Sequence, residues 1–267
     1  MSSPAKTLTD AATPLPPTPS SALVPKKPLI MRLGKYLQPR INNIVAKSSR
    51  IGNHPFYQPT DFPWIAEFEA RWREIQAEAS VVLQDLNKIP PLAEISPDHR
   101  RIAPAGKWRS FFLCGYGYRV EANCDACPKT AAMIAKVPGL NSALFSILAP
   151  GTHIPPHTGV TKAFLTCHLG LKVPQKAEDC AMHVDGQRVT WSEGKAIVFD
   201  DMYQHEVLND TDEIRVVLLV QFRRPMRPVG WILGNLFLWG VKRSRFVQQA
   251  RRGVEQWKMQ DPPAVPN

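Results

Sequence analysis

Ser146-Ile147-Leu148-Ala149-Pro150-Gly151-Thr152-His153-Ile154-Pro155-Pro156-His157-Thr158-Gly159 is the stretch on which the reading of this chain turns. It continues through Leu165-Thr166-Cys167-His168-Leu169-Gly170-Leu171, then Phe199-Asp200-Asp201 and His205-Glu206-Val207, and closes at Arg215. Five of the seven histidines fall here: His153, His157, His168, His183 and His205. Short apolar runs flank them, predicting strands near 143–148, 163–172, 180–184, 187–190, 196–199 and 214–222. Asp185-Gly186 is a hairpin signal between two of them. Many short strands separated by Gly/Pro turns predict a mainly β fold, a sandwich or double-sheet barrel, with helices flanking it.

Histidines gathered by strands are a common way to bind a divalent metal, because neutral imidazole suits iron, zinc, copper and nickel. His157 follows the stiff Pro155-Pro156 pair, and His205 lies just before another apolar run. In a double-sheet barrel the two face each other across the open mouth. Two histidines leave positions on an octahedral ion for a bidentate 2-oxo acid and for O2, the arrangement that redox iron needs for oxygen activation. Arg215 opens the apolar run Ile214 to Val220. A charge there needs a partner, either a ligand carboxylate or one of Asp200, Asp201 and Glu213. Ser146 and His168, on predicted strands, add hydrogen bonds to that ligand or are satisfied core groups. His54 and His99 read as surface loop residues, His153 as a loop or supporting residue, and His183 as an ordinary strand residue. Glu206, next to His205, points away on a strand.

The chain of 267 residues carries a net charge of +10, unevenly spread. Residues 1–50 hold eight Lys/Arg and one acid, and residues 223–267 hold nine and two, leaving 51–222 net acidic. Basic ends around an acidic middle fit contact with an anionic membrane surface better than nucleic acid; solubilising tails are the alternative. No run of eighteen apolar residues predicts a transmembrane helix, and Pro and Ser stand where a secretory signal has its apolar core. Five cysteines form no disulfide framework, and Cys124-Asp125-Ala126-Cys127 reads as a structural turn, so the cytoplasm is the default compartment.

Residues 1–28, rich in Pro, Ser and Thr, are predicted disordered. Residues 29–50 form a basic amphipathic segment with helical spacing, which Pro39 should kink or end near Gln38. Asp61 is placed to cap a helix with Pro63 in its first turn, running to about Leu86 with Trp64, Ile65, Phe68, Trp72, Ile75, Val82 and Leu86 on its apolar face. A loop follows from Asn87 to Gly106, then a strand from Trp108 to Val120 broken near Gly115 and Gly117, and a short helix from Pro128 to Val137. After the domain at 55–225, residues 226–267 form a basic amphipathic tail whose Pro228–Val241 run either lies at an interface or packs back on the domain.

These motifs resemble the aspartyl/asparaginyl β-hydroxylase family of iron(II)/2-oxoglutarate dioxygenases, which includes bacterial 2-hydroxylases of lipid A and ornithine-lipid acyl chains. The matching segments are Phe145 to Leu148, Pro150 to Gly159, His168-Leu169-Gly170-Leu171, Trp191 to Lys195, Phe199-Asp200-Asp201, His205-Glu206-Val207 and Arg215. The resemblance implies a double-stranded β-helix, a jelly-roll or cupin-like barrel. It implies His157 and His205 as Fe(II) ligands, and Arg215, Ser146 and His168 as holding the co-substrate 2-oxoglutarate, with O2 as second co-substrate. Gly159 stands where most oxygenases of this broad class carry the third, acidic ligand, and peptidyl hydroxylases of the family share that Gly. Thr158 also matches the peptidyl members. Thr166 stands where the family usually has Arg, whose cation commonly holds an acidic group. A charge-assisted bond is worth about 1.5–3 kcal/mol, so loss of that cation weakens binding of an acid roughly ten- to a hundredfold. The implied activity is hydroxylation of a C–H bond on a peptidyl Asp/Asn, a lipid acyl chain or a small molecule; the basic ends favour an acyl chain met at the inner face of the membrane. A non-catalytic cupin-like binding or membrane-associated module is the alternative.

Overall fold

Strands alternate their side chains between two faces, so a strand covered on both sides is apolar throughout, whereas one beside a cavity can keep polar residues on one face. The computed structural model describes residues 29–103, 106–244, 247–249 and 251–253. The 1–28 segment, expected to be disordered, lies outside the described residues. Two units divide the chain, Met1–Leu37 and Gln38–Asn267, and the sheets belong to the second.

The strands are β1 Phe56–Tyr57, β2 Trp108–Gly115, β3 Tyr118–Arg119, β4 Leu140–Leu148, β5 Thr152–His157, β6 Phe164–Lys172, β7 Cys180–Val184, β8 Gln187–Thr190, β9 Ala196–Phe199, β10 His205–Asn209 and β11 Arg215–Arg223. They form a seven-stranded sheet, β1-β9-β6-β11-β4-β2-β3, and a four-stranded sheet, β5-β10-β7-β8. Every ladder is antiparallel. This is the mainly β, jelly-roll architecture expected. The Asp185-Gly186 hairpin joins β7 to β8 with both residues at positive φ.

One core lies between the sheets, with Leu148, Ile154, Met182, Trp191, Phe199 and Val217. A larger one lies on the outer face of the big sheet, where Phe145, Leu169, Leu218 and Val220 meet Ile65, Phe68 and Ile75 of the helices. Neighbours along β4 and β11 thus enter different cores, which is why both strands are nearly continuous apolar runs. Ser146 shares the parity of Leu148, and Arg215 that of Val217, so both face the space between the sheets.

The helices are α1 Leu29–Lys47, α2 Trp64–Ala70, α3 Trp72–Val82, α4 Leu92–Ile95, α5 Glu121–Ala126, α6 Pro128–Ile134 and α7 Pro228–Lys242. Several expectations need correction. Pro39 lies inside α1 rather than ending it near Gln38. Beyond Pro39, Val45 is buried and the Asn42 carboxamide accepts from Lys162 N, so tertiary packing outweighs the lost backbone bond. The single helix to Leu86 is two, broken at Arg71, whose guanidinium bridges Glu67 and Glu74. Asp61 caps nothing: it ends a 3-10 turn, and Pro63 takes the cap position with no side-chain bond. The loop at Asn87–Gly106 contains α4, formed because Leu92 and Ile95 are buried. No helix among the described residues is long and apolar enough to cross a membrane.

Candidate active site

His157 ends β5 and His205 begins β10, and the ladder pairs them directly. Their ring centroids lie 4.1 Å apart. His157 Nδ1 donates to Pro155 O at 2.8 Å, and His205 Nδ1 donates to Tyr203 O at 3.0 Å. Each ring is thereby fixed with its proton on Nδ1 and a free lone pair on Nε2, the tautomer a metal ligand requires. Burial, and then His205, pushes His157 down to about 4. Burial also lowers His205. Both rings are neutral at pH 7. Among the described residues no group of three or more His, Cys, Asp or Glu side chains converges on one metal position.

Gly159 leaves no room for an acidic side chain two residues after His157. A Cβ there would lie 2.3 Å from Asp201 Oδ1, and Gly159 N already donates to Asp201 O at 2.7 Å. The Asp201 carboxylate fills the space a side chain at 159 would take. It accepts from Thr166 Oγ1 at 3.3 Å and Gln221 Nε2 at 3.2 Å. Burial, then the charge of Asp200, pushes its carboxyl up to about 6.

Behind the histidine pair lies a second cluster. Arg215 is buried, its guanidinium 4.7 Å from the centre of the Trp191 ring, with Nη1 donating to Ser146 O at 3.4 Å. No carboxylate pairs with it among the described residues; Asp200 is engaged by Arg224 and Lys162. Burial lowers Arg215 to about 10, partly offset by the Cys180 thiol opposite. His168 stacks 6.1 Å from Trp191 and meets Phe199 edge-on, and Phe199 also contacts His205. Burial, then Arg215 and His205, holds His168 well below its usual range. The Ser146 hydroxyl accepts from Trp108 Nε1 at 3.0 Å.

Four buried polar atoms here have no partner: both ring nitrogens of His168, Trp191 Nε1 and Arg215 Nε. Each such group costs on the order of 1–3 kcal/mol while unsatisfied, so the cluster is shaped for an acceptor-rich ligand. Gly170 helps form it. A Cβ there would meet Ser192 O at 2.3 Å, so only Gly lets the segment after Trp191 cross β6. His157, His205, His168, Arg215 and Ser146 thus sit in one region between the sheets. His153 is on β5 rather than in a loop, with Nε2 2.8 Å from Glu206 Oε2, and Glu206 turns away from the site towards it and His183. Trp191 entered the sequence reading only as part of a matching segment, and Asp201, one of the carboxylates weighed as a partner for Arg215, pairs instead with Thr166 and Gln221. A glycine two residues after a histidine and an acid four before another were the available signal for Asp201.

The aspartyl/asparaginyl β-hydroxylase family profile matches residues 69–225. An ornithine lipid ester-linked acyl 2-hydroxylase of Rhizobium tropici is 40% identical over 216 residues, 79% of this chain and 75% of that protein. The aspartyl/asparaginyl β-hydroxylase of Homo sapiens is 31% identical over 179 residues, 64% of this chain but 23% of that protein. Among solved structures, DMSP lyase DddQ from Ruegeria pomeroyi aligns with TM-score 0.31 and 12% identity, covering 44% of this chain and 47% of that one.

Proposed function

Because the chain belongs to the aspartyl/asparaginyl β-hydroxylase family, we propose that it is an iron(II)/2-oxoglutarate-dependent dioxygenase that hydroxylates a C–H bond of a lipid acyl chain. The observation that carries this is the pairing of two neutral histidines, both with free Nε2, with a cluster of unpartnered donors behind them. The residues fit both groups. His157 and His205 would hold the ferrous ion, and Arg215, with Trp191, His168 and Ser146 around it, would hold the 2-oxoglutarate carboxylate. A bound carboxylate gives the buried guanidinium its missing counter-charge and the orphaned N–H groups their acceptor. Bound together, iron and the oxo-acid supply the oxygen-activating chemistry. Phe199 packs against His168 and His205, and Trp191 against His168 and Arg215, so both rings would keep water from the bound groups.

Two observations favour an acyl chain. The likeness to the Rhizobium tropici enzyme extends over 216 residues, well beyond the 69–225 family match. In addition, Thr166 spends its hydroxyl on Asp201 and offers no cation for an acidic substrate. The five free, buried cysteines suit a reducing compartment, and we place the reaction on the cytoplasmic side of the membrane. Thr158 and the likeness to the human enzyme favour peptidyl Asp/Asn as the second reading. Comparative lipid mass spectrometry of cells with and without the protein tests the choice. One added oxygen on an acyl chain, lost in His157→Ala, is the expected result. An unchanged lipidome with turnover on an Asp/Asn peptide would move the assignment to peptides. Iron-loaded protein that never converts 2-oxoglutarate to succinate, with lipid or peptide, would leave only a binding module.

A further inference from the structure

α7 has two unlike faces. Gly230, Gly234 and Leu238, each four residues apart, are turned inward and buried. Leu238 joins Val45, Ala163, Phe164 and Met226 in a small core of its own. The outward face holds Val229, Ile232, Leu236 and Trp239 at 60%, 57%, 65% and 57% exposure, with Trp231 at 53% beside them. Of the two expectations for this run, packing back on the domain accounts for the inward face, and the outward face is left exposed.

An apolar stripe of this size on a surface helix marks a contact with something apolar. Its surroundings say what. Between Pro228 and Gly253 there is no acidic residue, while Lys242, Arg243, Arg245, Arg251 and Arg252 follow the stripe and Arg227 precedes it. The Arg243 guanidinium lies 3.9 Å from the centre of the Trp239 ring, so cation and indole share one edge of the stripe. Apolar residues along the middle, tryptophans near both ends and the exposed Arg227 and Arg243 beyond them match a surface that is hydrocarbon inside and anionic at its rim.

We propose that the outward face of α7 seats the protein on an anionic phospholipid bilayer, beside the site where an acyl chain is hydroxylated. The seat is close to the site along the chain. Segment 158–163 leads from His157 to Ala163, which packs beneath Gly234, and Val160 within it is half exposed. Six residues reach at most about 20 Å, comparable to the thickness of one hydrocarbon leaflet, about 15 Å. Delivery of an acyl chain rests on the lipid reading of the site; the docking itself does not.

The test is co-sedimentation of the full chain with vesicles of phosphatidylglycerol and phosphatidylcholine, and with phosphatidylcholine alone. Binding should require the anionic lipid and fall with salt. Ile232→Glu with Leu236→Glu removes two outward side chains and should lower partitioning roughly thirtyfold or more. Co(II) binding and melting temperature should stay unchanged, because neither residue is buried. Wild type that ignores anionic vesicles, or a double variant that partitions equally well, overturns the proposal. So does a dimer in sedimentation equilibrium that the double variant dissolves while no vesicle binding is seen. Lipid hydroxylation in detergent without vesicle binding would sink the docking and leave the hydroxylase standing; vesicle binding without hydroxylation would do the reverse.

Discussion

At the scale of single residues, the protonation of two rings sets the behaviour of the site. An ordinary histidine pair, with pKa near 6.5, loses roughly a hundredfold in metal affinity between pH 7.5 and 5.5, because each ring must shed a proton to bind. Here burial has already lowered both rings, His157 to about 4. The loss over that interval should therefore stay below about tenfold, read from Co(II) absorbance titrations. The sign for folding is the opposite. A base whose folded pKa is depressed stabilises the fold less as pH falls from 6.5 towards 4, so metal-free protein should lose stability there and bound metal should restore it. A hundredfold loss of Co(II) affinity would mean the rings are not buried as described. The residues that meet in the site were legible one by one, since a histidine or arginine in an apolar strand stands out. Asp201 was not, because its place depends on the backbone of Gly159, brought next to it only by the turn after β9. Trp191 was not, because an indole in a β-rich chain is ordinarily core, and only its unpartnered Nε1 distinguishes it.

At the scale of elements, the two strands that carry the histidine pair, with the two-residue β1, are absent from the expected strands. β5 contains Pro155-Pro156, which argues against a strand, but β5 is the edge of the smaller sheet, where a missing N–H costs no ladder bond. β10 is short and alternates weakly, and is fixed by its neighbours β5 and β7 rather than by its own pattern. The strands covered on both faces, β4, β6 and β11, were legible because burial on both sides leaves a long apolar run. The seat of α7 gives a test with internal controls. A Cβ on Gly230 would lie 2.3 Å from Ser48 Cβ, one on Gly234 would lie 3.3 Å from Ala163 Cβ, and one on Gly240 would meet nothing within 4 Å. Replacing a helical Gly with Ala gains about 1 kcal/mol when nothing opposes it, while overpacking costs about 1–3 kcal/mol. Gly240→Ala should stabilise by about 1 kcal/mol, Gly234→Ala should be near neutral, and Gly230→Ala should destabilise by about 1–2 kcal/mol. Denaturant melts rank the three, and a Gly230→Ala as stabilising as Gly240→Ala would show that α7 is not held at that point.

At the scale of the whole molecule, one buried cluster ties the chain's distant parts to the end of the barrel that bears the histidines. Asp200 and Arg224 are both fully buried and paired, and Lys162 Nζ adds a second cation 2.7 Å from Asp200 Oδ2. Arg224 also donates to Tyr57 Oη, Gly52 O and Lys162 O. The Asp200 Oδ1 accepts from Met202 N at 3.0 Å and so shapes the turn that delivers His205. The entry segment, the start of β6, the exit of β11 and the approach to the histidine pair thus share one buried ion cluster. A pair taken out of water gains little net energy while intact, but losing one member leaves the other charge buried and alone, at a cost of about 3–5 kcal/mol. That is a large part of the roughly 5–15 kcal/mol that holds a domain together. Asp200→Asn should therefore lower the melting temperature by about 10 °C and weaken Co(II) binding with it, because the His205 turn loosens. Replacing the two fully buried members, Asp200→Leu with Arg224→Met, leaves only the partly exposed Lys162 without its carboxylate and should recover part of the lost stability while leaving Co(II) binding impaired. If the double variant is as unstable as the single one, the cluster acts through its hydrogen bonds to Gly52 and Tyr57 rather than through buried charge, and the ion pair is not what closes this end of the barrel.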